Sequence, residues 1–130
     1  MARTIVHRIK FKAKPAALFK LYADPKLHAK VTGTPAKFSA KPGSAMSAWD
    51  GYIQGKVLAV DPDRAILQTW RAADWSEEDP DSLLYLGFEA AGKGTELIMI
   101  HQGVPDDAYE ELDSGWKENY WDLWKAHLRE

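Results

Sequence analysis

Cysteine is absent from the 130 residues, which excludes disulfides, thiolate metal sites and cysteine nucleophiles and fits a reducing compartment. Long apolar runs are absent too. The opening MARTIVHRIKFKAKP has no apolar stretch of the kind a secretory signal carries, and no segment approaches the roughly 20 apolar residues of a membrane span. A cytoplasmic location is the expectation. Charge of one sign is lacking as well: 17 Lys and Arg stand against 19 Asp and Glu, so no strong field draws nucleic acid or an anionic membrane. Basic residues gather between Arg3 and Lys41, but without interleaved aromatics or a reading motif they describe a solvated face. Nucleophile elbow, phosphate-cradling glycine loop, paired-histidine metal motif and dinucleotide fingerprint are all missing. No catalytic residue, metal or cofactor is therefore expected.

What the chain has in abundance is aromatic surface: six Trp, five Tyr and four Phe. Rigid side chains of that size fill a core, line a cavity or anchor an interface. The length suits one domain, residues 1–130, with a core of its own.

Ile5, His7, Ile9 and Phe11 alternate with Val6, Arg8 and Lys10, the period-two mark of a strand with one buried face. Pro15 ends it and opens a short helix over 16–22; Asp24-Pro25 reads as an N-cap and first helical position of a second, through about Val31. A short strand is expected over 37–40, then strands over 45–53, 56–60, 65–71, 83–89 and 95–102, separated by turn chemistry such as Asp61-Pro62-Asp63 and Gly92-Lys93-Gly94. Residues 73–82 carry five acidic residues around Pro80 and read as an exposed loop, without the central glycine of a calcium loop. Val104-Pro105-Asp106-Asp107 announces a helix to about Leu128, with acidic residues at its positive end. Tyr109, Leu112, Trp116, Tyr120, Leu123 and His127 follow three- and four-residue steps, and Trp121, Trp124 and Leu128 widen the stripe.

Alternation places Leu84, Leu86 and Phe88 on one face, with Leu97, Met99 and His101, and Ile66, Gln68 and Trp70, as the matching sets of neighbouring strands. Together with the first strand they would meet the Trp116 and Tyr120 face of the last helix. An aromatic interior with a few polar atoms has the character of a small-molecule cavity. His7, Gln68 and His101 are then either structural pairs or groups that orient a ligand, since an unpartnered buried polar atom costs about 1–3 kcal/mol. On the opposite face Tyr85, Ile98 and Ile100 stand where charges would be usual. They mark a partner surface or lie under a neighbouring segment.

Several runs occur together in order: Ala48-Trp49-Asp50-Gly51-Tyr52-Ile53-Gln54-Gly55, Thr69-Trp70-Arg71 with Asp74-Trp75, Gly94-Thr95-Glu96-Leu97, His101-Gln102-Gly103-Val104-Pro105, and Gly115-Trp116-Lys117-Glu118-Asn119-Tyr120-Trp121. Over nearly the whole chain they resemble the Aha-type family, homologues of the C-terminal domain of the activator of the heat-shock protein 90 ATPase, in the START-like, birch-pollen-allergen-like superfamily. The resemblance implies an α+β helix-grip fold, a curved antiparallel sheet with two short helices and a long C-terminal helix on its concave face. It also implies one of two binding roles. Either a small hydrophobic ligand enters between sheet and helix, lined by Trp70, Leu84, Leu86, Phe88, Leu97, Met99, Trp116 and Tyr120, or the domain contacts a chaperone in stress response. The activator resembled has two domains, so stimulation of a chaperone ATPase is not expected from 130 residues. An enzymatic role within the superfamily would need a general acid or base, and His101 is the residue to name. Monomer and homodimer both remain open.

Overall fold

Period-two patterning builds the sheet and local caps build the helices. The computed structural model describes residues 2–130. β1 (Ala2–Phe11) leads into α1 (Pro15–Ala23) and α2 (Pro25–Thr32); β2 (Ala45–Ala48), β3 (Ile53–Asp61), β4 (Ala65–Ala72), β5 (Ser82–Ala91) and β6 (Gly94–Pro105) follow. The Asp24 carboxylate accepts from the Lys26 and Leu27 amides, and Gly33 closes α2 in the left-handed conformation that a residue without Cβ adopts freely.

The strands form one antiparallel sheet in the order β1-β6-β5-β4-β3-β2. Register irregularities between Arg3 and Ile5 and between Val57 and Ala59 help it curve. Two rows cross the concave face, Gln68–Leu84–His101–Ile5 and Ile66–Leu86–Met99–His7. These are the facing sets that alternation predicts. A slip of one residue would have turned each row outward.

From Pro105 the chain continues as one helical segment over 106–128: a 3-10 turn (Asp106–Ala108), α3 (Tyr109–Trp116), a π turn (Lys117–Trp121) and α4 (Asp122–Leu128). It closes the concave face together with α1 and α2. Ile5, Leu18, Leu21, Ile66, Leu84, Leu86, Leu97, Met99 and Trp124 are sealed between these layers. Each fully buried large apolar side chain contributes about 1.5–3 kcal/mol. This is the helix-grip arrangement.

Three sequence expectations are corrected. The strand over 45–53 breaks after Ala48, because Trp49, Asp50 and Gly51 all take positive φ (53°, 55° and 87°) and reverse the chain into β3. Asp-Gly is a strong hairpin signal, and here it outweighs the flanking β-formers. The strand over 37–40 shrinks to a single bridge from Lys37 to Ser47. On the last helix the buried stripe runs Trp116, Tyr120, Trp121, Trp124, while Leu123 is only half-buried and His127 is exposed. The π turn holds one more residue than an α turn and shifts the downstream stripe by one position.

Candidate functional site

Buried polar side chains of the interior come first, because any left free would be available to a ligand. Ser82 Oγ donates to the Trp70 carbonyl (2.7 Å), so it accepts from His101 Nε2–H (2.7 Å), while His101 Nδ1 accepts from the Trp116 indole N–H (3.1 Å). Both His101 nitrogens are engaged, and burial pushes its pKa down to about 3. A general base at neutral pH needs a free nitrogen and a pKa nearer 7. On β1, His7 repeats the pattern: Nδ1 accepts from the Trp121 indole N–H (2.9 Å) and Nε2–H donates to Asp113 (2.7 Å). Two indoles of the C-terminal helix thus clamp two histidines of neighbouring strands. Trp116 and Trp121 stack at 5.5 Å.

A second network joins α1 and α2 to the same helix. His28 Nδ1–H donates to the Tyr22 carbonyl (3.0 Å) and Nε2 accepts from Tyr120 Oη (3.0 Å). Tyr22 Oη donates to Gln68 Oε1 (2.6 Å), and Gln68 Nε2 donates to the Thr69 carbonyl (2.9 Å). Burial lowers the His28 pKa and raises those of Tyr22 and Tyr120. Among the described residues, one buried side-chain polar atom lacks a partner, the Trp124 indole nitrogen. That orphan offsets part of what burying Trp124 contributes.

Open space lies beside this packed interior. A cleft of about 650 Å³ is bounded by Trp70 and Ala72 of β4, by Trp49, Tyr52 and Ile53 of the β2–β3 turn, by Asp74, Trp75, Ser76 and Asp79 of the acidic loop, and by Asp107, Glu111, Leu112, Gly115, Trp116, Asn119 and Tyr120 of the helix. Rings meet in a continuous chain along it. Trp75 lies 5.5 Å from Trp70, Trp70 6.1 Å from Trp116, Trp116 5.0 Å from Tyr120, and Tyr120 6.0 Å from Trp49. The helix wall is low at Gly115, where an added Cβ would meet nothing nearer than 3.6 Å.

Two contacts hold the loop in place. The Arg71 guanidinium donates to the Asp79 and Ser76 carbonyls and to the Asp81 carboxylate. Tyr52 Oη donates to Asp74 Oδ1 (2.7 Å), and desolvation, this bond and the nearby charges of Asp74 and Glu111 push its pKa up to about 12.

Of the eleven interior residues singled out in the sequence, Trp70, Trp116 and Tyr120 border the cleft. Leu84, Leu86, Phe88, Leu97 and Met99 lie in the close-packed core, and His7, Gln68 and His101 are hydrogen-bonded within the protein. Trp49, Tyr52, Trp75 and the carboxylates around them were not placed by sequence reasoning. Their signal was an aromatic residue beside Asp in two turns, Trp49-Asp50 and Asp74-Trp75. His28 had none, being a lone histidine between Leu27 and Ala29. On the convex face Tyr85 and Ile100 are each 36% exposed and Ile98 is half-buried; Val6, Ile100, Tyr85 and Leu67 pair across four strands in one apolar row.

Residues 12–129 match the family model described as Activator of Hsp90 ATPase homolog 1-like protein. An activator of 90 kDa heat shock protein ATPase homolog from Dictyostelium discoideum is 27% identical over 121 residues, covering 92% of this chain and 31% of that protein. The chain spans about a third of the length of the curated relatives it matches. Among solved structures, an Hsp90 activator from Plasmodium falciparum superposes with a TM-score of 0.86 at 23% identity, over 98% of this chain and 96% of that one. The Aha1 dimer from Colwellia psychrerythraea gives 0.80 at 18% identity, over 95% of each chain. At such identities these likenesses carry the fold alone.

Proposed function

Because the chain belongs to the family of Activator of Hsp90 ATPase homolog 1-like proteins, we propose that it is a non-catalytic binding domain of the Aha type, and that the aromatic cleft beside its C-terminal helix takes a small ligand with an apolar body. One observation carries this reading: six aromatic rings, five of them in a continuous chain, line about 650 Å³ of open space, a volume within the roughly 300–1,000 Å³ of small-molecule sites. The interior histidines, bonded to indoles and to Ser82 or Asp113, fit a structural role.

A thermal-shift screen of small ring compounds tests it with a paired variant. Ligands should raise Tm, a hundredfold excess over Kd stabilising the fold by about 2.7 kcal/mol. Gly115→Leu fills the cleft from a half-buried position on the helix wall that has room for a Cβ, and leucine is also the better helix former. It should fold at least as stably and lose the ligand response. Equal responses in both proteins, or none in the parent, refute the cleft as the site.

Contact with an Hsp90-type chaperone is a second reading. The names of the relatives and the apolar convex row support it. Those relatives are about three times as long, so the ATPase stimulation that their names describe is not carried over to this chain.

A further inference from the structure

Resting on the cleft as a ligand site, we propose a ligand class for it: a small organic monocation, an alkylated ammonium on an apolar or aromatic body. The walls are indole and phenol rings, whose faces attract a cation electrostatically, tryptophan most of all. The rim is acidic. Asp74, Asp79, Asp107 and Glu111 come to it from the loop and the helix, and no Lys, Arg or His lines the cleft. In a chain of 17 basic and 19 acidic residues this is a local segregation of charge, not the consequence of an acidic composition.

Those four carboxylates are also unneutralised. The ion pairs among the described residues join Arg3 to Asp106, His7 to Asp113, Arg8 to Glu96, Arg71 to Asp81 and Lys117 to Asp122, and none involves the four. Arg71 is committed elsewhere, its guanidinium lying over the Trp75 ring at 6.0 Å and held by the Ser76 and Asp79 carbonyls and Asp81. An anion would meet repulsion here. A neutral ligand gains no charge attraction from the rim.

A metal ion fits less well, since no three of these groups converge with ligand geometry among the described residues. An alkylated ammonium suits both features. It lacks the tightly held hydration of a primary ammonium, lies against rings without needing hydrogen-bond acceptors, and takes long-range attraction from the rim. The volume leaves room for a ring beside the headgroup.

The test compares (4-hydroxyphenyl)trimethylammonium with its neutral carbon isostere, 4-tert-butylphenol, followed by the indole N–H resonances of the six tryptophans in a two-dimensional NMR titration. The cation should shift the Trp49, Trp75 and Trp116 signals and bind about tenfold tighter than the isostere or better. Its affinity should fall as salt rises and in the Asp107→Asn/Glu111→Gln double variant, with the isostere's affinity unchanged. Equal or tighter binding of 4-tert-butylphenol overturns the cationic class while leaving the cleft as a site. If neither compound moves an indole resonance, cleft and ligand class fail together.

Discussion

His101 shows what a single residue carries in this molecule. Its ring has no exposure to solvent, it donates to Ser82 and accepts from Trp116, and burial holds it neutral with a pKa near 3. Unfolded, the same ring takes a proton near pH 6.5. Between those values the unfolded state binds more protons, so stability is complete above about pH 7 and declines as pH falls from 6.5 toward 3. Chemical unfolding at pH 7.5 and 5.0 should show a loss of about 2 kcal/mol from this ring alone, with His28, also lowered by burial, adding in the same direction. His101→Gln should remove that share of the slope. A variant as acid-sensitive as the parent would mean that His101 does not resist protonation. That His7 and His101 face inward was legible from alternation; that their partners are indole N–H groups was not, because these hydrogen-bond partners are 114 and 15 residues apart in sequence.

At the scale of the element, the π turn Lys117–Trp121 decides how the C-terminal helix seats. In a regular α-helix successive residues turn by roughly 100°, which would separate Trp116 from Trp121 widely around the axis. One turn with i to i+5 bonding brings both indoles onto the sheet side, where each reaches a histidine, and centres Trp124 below them. Three- and four-residue stepping does not register an inserted residue. For that reason the sequence stripe drifts to Leu123 and His127 while the structure follows Trp121 and Trp124. Deleting exposed Glu118 should convert the π turn to α and leave the flanking tryptophans in place. Circular dichroism should show equal or greater helicity, with Tm within about 5 °C of the parent. Loss of cooperative unfolding would show that the extra residue is required. The β2–β3 hairpin was equally open to reading, since Asp50-Gly51 encodes it, and its flanking strands masked it.

At the scale of the whole molecule, two surfaces among the described residues are proposed for partners: the acidic aromatic cleft and, on the other side of the sheet, the row Val6–Ile100–Tyr85–Leu67. Tyr85 bends over Gly87, whose missing side chain makes room for the phenol. Natural sheets usually present polar residues on a solvated face, so this row is where a chaperone contact would be sought. The triple variant Val6→Thr/Tyr85→Thr/Ile100→Thr keeps β-branched residues on the strands and should leave Tm nearly unchanged. Its binding to the cognate Hsp90-type chaperone, measured by calorimetry, should weaken at least about tenfold, as expected when apolar anchors are removed. Undiminished binding would exclude this face.

The sequence by itself determined the order of elements, the inward and outward faces of each strand and the caps of α2, since these follow from period-two alternation and from contacts within a few residues. Only the tertiary structure decided which rings border open space. Trp49 and Trp75 come from two turns, and Trp116 from a helix whose phase one inserted residue resets. Their meeting depends on where the curved sheet carries those turns, and local patterning holds no record of that distance.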